Sequence, residues 1–220
     1  MIRGYIIAID GPAASGKSTT AKILARKLGY TYIDTGAMYR AVAFKIIESG
    51  IDFQDTDQLD KLLAEIDICF KHINEEQRIF LDNKDVSTRI REQDITKLSS
   101  EIAVIGAVRE RMVAMQREMG RSGGIVMDGR DIGTVVFPDA DFKFFVTASV
   151  RTRAIRRWKE IGDNSIALEE IEKDLIWRDQ NDSNREIAPL RKAEDAIEVD
   201  TTNMSITEQV NYIMKFLEQR

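Results

Sequence analysis

Residues 5–10, YIIAID, form an apolar run that ends on an acid, and GPAASGKST follows at once. The second segment matches G-x-x-x-x-G-K-[ST], with Gly11, Gly16, Lys17 and Ser18 at the defining positions. Few folds satisfy both stretches together. A buried strand must run into a tight turn whose backbone N–H groups face inward, and a helix must begin where the turn ends. Ala21, Leu24, Ala25 and Leu28 recur at i, i+3, i+4 and i+7, which is one face of that helix, and Gly29 stands where its end needs a cap. Strand, glycine-rich turn and helix in this order distinguish a phosphate cradle from an ordinary strand–helix connection.

The rest of the chain extends the alternation. YTYIDTG reads as a second strand, and residues 37–49 as a helix closed by Gly50. GGIVMD, FKFFVTA and AIEVDTT are further strands, while SVRTRAIRRWKEI and LEEIEKDLIWRDQ are helices. Ile105, Val108, Met112, Met115 and Met119 mark one stripe of a long helix that Gly120 can end. Ser205-x-x-Glu208 reads as a capping box before a last helix with Val210, Ile213, Met214 and Leu217 inward. The expected fold class is α/β, a five-stranded parallel sheet with helices on both faces. Residues 51–98 break the rhythm: IDICFKHI and RIFLDN read as two strands joined through NEEQ, an antiparallel hairpin in an inserted lobe. The expected domains are therefore a core of 1–50 and 99–220, with a short lid near 152–168, and a lobe of 51–98.

Composition closes several other routes. The net charge of −5 argues against wholesale binding to nucleic acid. One cysteine, Cys69, excludes an internal disulfide and a cysteine-rich zinc site, and it reads as a small buried hydrophobe. The single histidine, His72, reads as a residue on a strand face. No stretch nears the ~20 apolar residues of a membrane span, and the N-terminal run is too short for a secretory signal. A cytoplasmic, monomeric protein with no membrane partner is expected.

The loop predicts a nucleoside triphosphate. Lys17 would reach the terminal phosphates, and the Ser18 hydroxyl would ligate Mg²⁺. DTGAMYR and DGRD each follow a strand, so both are expected at the crevice beyond the strand ends that also holds the loop. Asp128 suits an acid beside nucleotide-bound magnesium, reached through water, and suits a turn cap equally well. Arg40, Arg109 and Arg130 would add positive charge there. Arg151, Arg153, Arg156 and Arg157 crowd one helix, and Arg178 and Arg185 flank Asp182. A solvated helix face accounts for such charges in many proteins. Phosphoryl transfer uses them too, because guanidinium forks match phosphate oxygens. A phosphate acceptor, mostly ionised at pH 7 with a second pKa of about 6, needs no general base. Many arginines and one unremarkable histidine fit that case better than transfer to a sugar hydroxyl.

AIDGPAASGKSTTAKILARKLGYTYIDTGAMYRA, VMDGRDIGTVVFPDA and RDQNDSNREIAPLRKAEDAIEVDTT together resemble the cytidylate kinase family of the bacterial type, nearly end to end. DGRDIGTVVFPDA with NREIAPL is far more specific than the loop alone. The resemblance implies a nucleoside monophosphate kinase fold with a core, a large monophosphate lobe and a short lid. It implies MgATP as donor and CMP or dCMP as acceptor. Gly11 to Thr19, with Pro12, Ala13, Ala14 and Ser15 between the glycines, match the donor-phosphate loop. Arg40 and Arg130 match contacts to the acceptor, and Ser100, Arg109 and Asp131 match positions near the cytosine. Arg178, Asp182 and Arg185 match a cluster serving the transferring phosphoryl group and the acceptor sugar. Thr35 stands where a serine is common and keeps the hydroxyl. Which of Arg153, Arg156 and Arg157 reaches the phosphates is left open. Two rivals also fit the loop: a kinase for another monophosphate or a small metabolite such as shikimate, and a nucleotide-operated switch that phosphorylates nothing.

Overall fold

Strand β1 spans Ile6–Asp10, and all of its residues are buried. An uninterrupted apolar strand of this kind needs cover on both faces, the condition met in a parallel sheet. In the computed structural model, which describes residues 4–74, 76–162 and 166–219, β1 is the middle strand of a five-stranded parallel sheet. Numbered along the chain, its companions are β2 (Thr31–Asp34), β6 (Ile125–Gly129), β7 (Phe142–Thr147) and β8 (Ile197–Asp200), in the order β2-β6-β1-β7-β8. β1 pairs in parallel with β6, where Asp10 faces Gly129, and with β7, where Asp10 faces Phe145. The chain builds to one side of β1 and then crosses to the other. The loop after β1 therefore sits at the switch point where ligands of open α/β sheets bind.

Contacts divide the chain into two compact units, Met1–Ile33 with Gly120–Arg220, and Asp34–Met119. The first contains the sheet with helices α1 (Lys17–Leu28), α6 (Val150–Ile161), α7 (Leu168–Asn184) and α8 (Ile206–Leu217). Ile7, Ile9, Leu24, Val126, Phe144 and Ile213 join strands, α1 and α8 in one buried cluster. Each such side chain contributes about 1.5–3 kcal/mol on burial. A smaller cluster of Ala154, Ile171 and Leu175 joins α6 to α7, and Ala13 and Ala14 of the glycine-rich loop pack against it. Gly29 caps α1 in the left-handed conformation, φ 68°, and its N–H reaches the carbonyls of Ala25 and Arg26. The Ser205–Glu208 capping box opens α8 as the sequence predicts. Of the lid expected near 152–168, the first part is helix α6, and residues 163–165 lie outside the described residues.

The second unit contains α2 (Thr35–Ser49), α3 (Thr56–Glu65), α4 (Gln93–Ile102) and α5 (Gly106–Met119), with a small antiparallel sheet of β3 (Ile68–Ile73), β4 (Glu76–Leu81) and β5 (Lys84–Asp85). The expected hairpin is β3–β4, running from Ile68 opposite Leu81 to Ile73 opposite Glu76. Glu75, in the connecting NEEQ, lies outside the described residues. Segment 51–98 holds more than two strands. Leu59, Leu62 and Leu63 bury one face of α3, and Asp55 caps it by accepting from the N–H groups of Asp57 and Gln58. Asp82 and Asn83, at φ 47° and 67°, make the two-residue turn into β5. Helices α2 and α5 pack with α4, α3 and β4, which is why the unit extends beyond 51–98. The buried stripe of α5 also differs from the methionine stripe read in the sequence. The fully buried residues are Val108, Arg109, Met112 and Gln116, while Met115 and Met119, on the same side of the helix, are half-buried. His72 is exposed and Cys69 half-buried on β3.

Candidate active site

The loop that leaves β1 is held in shape by two glycines. At Gly11, φ is 152°, and a Cβ would lie 2.0 Å from the carbonyl oxygen of Val146 on β7. At Gly16, φ is 92°, and a Cβ would lie 3.0 Å from Gln209 Oε1. Only glycine permits both the dihedrals and the close approach. Gly16 is also the N-cap of α1, so the free N–H groups of the first helical turn add to those of the loop. The Lys17 ammonium crosses the loop and donates to Pro12 O at 3.1 Å.

Beside the loop, the Ser18 hydroxyl donates to Asp128 Oδ2 at 2.6 Å, and the Tyr32 hydroxyl donates to Asp128 Oδ1 at 2.8 Å. Asp128 is buried at the end of β6, while Ser18 and Thr19 are exposed. The carboxylate is thus held from two sides next to the loop serine. Hydroxyl and carboxylate oxygens are hard donors that suit Mg²⁺. Among the described residues no cluster of three or more acidic, histidine or cysteine side chains forms a metal cage. A magnesium ion here would therefore draw further ligands from phosphate oxygens and water, which is how this ion binds beside nucleotides.

Two arginines of α6 brace the loop from behind. Arg153, buried, donates to Ala13 O at 3.2 Å and Ala148 O at 3.0 Å, and grips Asp179 of α7 with a fork of 3.1 and 2.5 Å. Arg156 donates to Ser15 O at 3.1 Å, to Thr201 Oγ1 at 3.0 Å and to Thr201 O at 2.7 Å. Thr201 Oγ1 lies 2.9 Å from both Ser15 O and Thr147 O. Thr20 donates to Gln209 of α8 at 2.8 Å. Arg157 points away and pairs with Glu160. Of the three arginines left open by the sequence, Arg153 and Arg156 touch loop carbonyls and Arg157 does not.

Arg130, two residues after Asp128, donates through Nε to Asp182 Oδ2 at 2.7 Å. Arg185 pairs with the other oxygen of the same carboxylate. Burial pushes Asp182 up, but Arg130 and Arg185 outweigh it and hold the carboxyl below its ordinary range. Lys17 pulls in the same direction, so the loop lysine belongs to the same electrostatic neighbourhood. Arg178 lies one turn earlier on α7 and pairs instead with Asp174 at 3.1 Å. Asp131 is buried and its carbonyl accepts from Val135 and Val136, closing a short π-helical turn, Ile132–Val136.

In the second unit, Asp34 caps α2 by accepting from Ala37 N at 2.8 Å and lies 3.4 Å from Arg40 Nη2. Gly36 leaves room for the Arg40 guanidinium, since a Cβ there would come within 3.2 Å of it. Arg40 Nε is buried without a hydrogen-bond partner, a donor with capacity for an anion. Thr35, buried, is the first residue of α2. Arg109 is buried and donates at 3.4 Å to Tyr39 Oη and to Ala103 O. Ser100 Oγ, on α4, donates to Thr96 O at 3.4 Å.

The family model for cytidylate kinase matches residues 7–219 of this chain. The chain belongs to the cytidylate kinase family. It is 50% identical over 216 residues to the cytidylate kinase of Pediococcus pentosaceus, covering 97% of this chain and 96% of that one. It is also 50% identical over 219 residues to that of Chloroherpeton thalassium, covering 96% and 92%. Among solved structures, shikimate kinase from Bacteroides thetaiotaomicron overlays with a TM-score of 0.50 at 13% identity, covering 97% of this chain and 98% of that one. The last likeness concerns fold alone.

This cytidylate kinase family member also carries site residues that sequence reading passes over. Tyr32 and Thr201 act through strand ends that only the sheet order brings beside the loop. Gln209 lies 189 positions from Thr20, and no local pattern marks it. Asp179 was visible only as one acid in a charged helix. Asp10, the acid that ends β1, accepts from the N–H groups of Ile132 and Gly133 at 2.8 and 2.7 Å. Its place directly before the loop was the one signal available.

Proposed function

We propose that the protein transfers the γ-phosphoryl group of MgATP to CMP or dCMP, giving ADP and CDP or dCDP, as a cytoplasmic monomer. The observation that carries the reading is the full-length match to chains named cytidylate kinase, which runs through the loop, the 34–119 unit and the Arg130–Asp182–Arg185 group. The loop N–H groups and Lys17 bind the donor polyphosphate. Ser18, with Asp128 behind it, holds the magnesium ion, which when bound neutralises phosphate charge and orients the β- and γ-groups. Arg40 and Arg130 hold the acceptor phosphate, and Arg178 and Arg185 meet the charge that spreads over the equatorial oxygens. Asp182 keeps Arg130 and Arg185 in place. Thr35, Ser100, Arg109 and Asp131 serve the acceptor nucleoside. No side chain need act as base, because the attacking phosphate oxygen is already ionised at neutral pH.

A coupled assay of ADP release against a panel of monophosphates tests this reading. CMP and dCMP are expected to stand far above AMP, GMP and UMP, with little hydrolysis of ATP when no acceptor is present. Preference for another monophosphate or for shikimate overturns the acceptor. ATP hydrolysis that no acceptor stimulates overturns the kinase reading in favour of a switch.

A further inference from the structure

Asp10 has no task in the scheme above, yet this acid is only 5% exposed at the end of the middle strand. Such a group is costly to bury unless its hydrogen-bonding capacity is used. It is used on one segment alone among the contacts described: Ile132 N at 2.8 Å and Gly133 N at 2.7 Å. These are the first two N–H groups of the short π-helical turn that follows Asp131. Left without Asp10, they would be orphaned donors in the core. Gly133 matters for the approach. A Cβ there would come within 3.4 Å of Asp10 Oδ2 and 3.2 Å of the Lys143 side chain. Asp10 is also the residue before Gly11, whose position against Val146 is fixed by contact. One residue is therefore bonded covalently to the donor loop and by two hydrogen bonds to the DGRDIG segment.

We infer that Asp10 is a positioning residue that, by capping Ile132 and Gly133, sets Arg130 and Asp131 in register with the start of the donor loop. The inference rests on the proposed function for the roles of Arg130 and Asp131. The charged groups that act on Asp10 are Asp131 and Arg130 from the capped segment, while the Lys143 ammonium of β7 pairs with Asp195. Burial pushes the Asp10 carboxyl up to about 7, the Ile132 and Gly133 N–H groups oppose that rise, Asp131 adds to it and Arg130 opposes it. Protonation leaves one good acceptor oxygen for two donors. The cap thus weakens on acidification.

Asp10→Asn keeps the shape and removes the same acceptor. The expected result is a rise of about tenfold in KM for CMP, the worth of one hydrogen bond of roughly 1.4 kcal/mol, with KM for ATP within about twofold of wild type. In wild type, KM for CMP should rise as pH falls through about 7, beyond what ionisation of the CMP phosphate near about 6 explains. The variant should lose that extra step. Equal changes in both KM values, or none, overturn the inference. Hydrogen exchange supplies a readout independent of activity. Amides of 130–136 should exchange faster in Asp10→Asn while exchange in 11–19 is unchanged. Unchanged exchange in 130–136 overturns the cap even if CMP proves not to be the acceptor. If the variant does not fold, the wild-type KM profile decides, and a KM for CMP that does not rise as pH falls from 8 to 6.5 overturns the inference.

Discussion

Ser18 and Asp128 are 110 positions apart in the chain, yet the serine hydroxyl donates to the aspartate across 2.6 Å. The sheet order makes this possible. β1, which leads into the loop, pairs directly with β6, where Ile9 faces Asp128. The carboxylate is further held by Tyr32 on β2. In the proposed function a carboxylate oriented this way fixes the serine that would face the metal, and loss of such a partner costs about 10–100-fold in metal affinity or activity. Asp128→Asn should therefore fold normally and need about 10–100-fold more Mg²⁺ for half-maximal rate. A magnesium titration identical to that of wild type removes Asp128 from the metal's surroundings and leaves it a structural cap.

Arg156 and Arg157 are sequence neighbours with opposite situations. Arg156 supplies donors to Ser15 O and to Thr201, while Arg157 is exposed and pairs with Glu160. Removing a donor from partly buried acceptors costs about 1–3 kcal/mol, whereas an exposed ion pair contributes about 0–1 kcal/mol. Arg156→Met should raise KM for ATP by tenfold or more, as roughly 1.4 kcal/mol of loop bracing is lost. Arg157→Met should leave KM within about twofold, the scale of a surface substitution. Matching phenotypes in paired steady-state measurements would remove the bracing role.

Asp10 gives stability an uncommon dependence on pH. Its carboxyl is raised in the folded protein from 3.8 to about 7. Between those values the folded chain holds a proton that the unfolded chain releases. Stability from this group is thus fully present below the unfolded value and is lost as pH rises through the folded one. Asp10→Asn cannot titrate. Its Tm relative to wild type should therefore improve from pH 5 to pH 8 and level off above. A Tm difference that stays constant over that range would show that Asp10 is ionised throughout.

The parallel sheet was legible because each of its strands carries its own signal. The apolar run of β1 and the helix that starts at Lys17 need no tertiary information to be read. The capping box at Ser205 is equally local. Helix α3 was hidden by its setting: three leucines among five charged or amide side chains read weakly beside two convincing strands. Arg109 and Gln116 face the core of α5 against expectation because periodicity counts apolar residues and cannot count buried polar ones. The loop residues themselves were plain. Their braces were not, since Arg153, Arg156, Thr201 and Gln209 lie more than a hundred positions away, and only the assembled sheet brings them back.

Arg178 separates ground-state binding from catalysis. It pairs with Asp174 on its own helix, at 29% and 54% side-chain exposure. Pairs of that kind stabilise helices by about 0.3–0.5 kcal/mol, so Arg178→Met should scarcely change Tm. If the guanidinium meets charge in the transition state, kcat should fall by about a hundredfold or more. A rise in KM with kcat unchanged would mean that Arg178 binds substrate without assisting transfer. Asp174→Asn frees the arginine without removing it and should retain most of kcat.

Base choice is the most demanding consequence of the proposed function. Cytosine presents an N4 amino donor and an N3 acceptor, while uracil presents an O4 acceptor and an N3–H donor. A reader of cytosine needs an acceptor for N4 and a donor for N3. An ionised Asp131 only accepts, Arg109 only donates, and Ser100 does either. Arg109 already makes contacts at 3.4 Å to Tyr39 Oη and Ala103 O, near the outer limit for hydrogen bonds. Against uracil the same groups would meet like with like, and each buried group left unpaired costs about 1–3 kcal/mol. Wild type should favour CMP over UMP by roughly tenfold to a hundredfold in kcat/KM. Arg109→Met, similar in length and suited to a buried position on α5, should erase most of that ratio by lowering the rate with CMP more than with UMP. Ser100→Ala should erase a smaller share, because its hydroxyl is also satisfied by Thr96 O. If both variants keep the wild-type ratio while remaining folded and active, the base is read by other residues. The roles of Ser100, Arg109 and Asp131 then fall, and the phosphoryl-transfer reading, which rests on the loop and the arginines, is untouched.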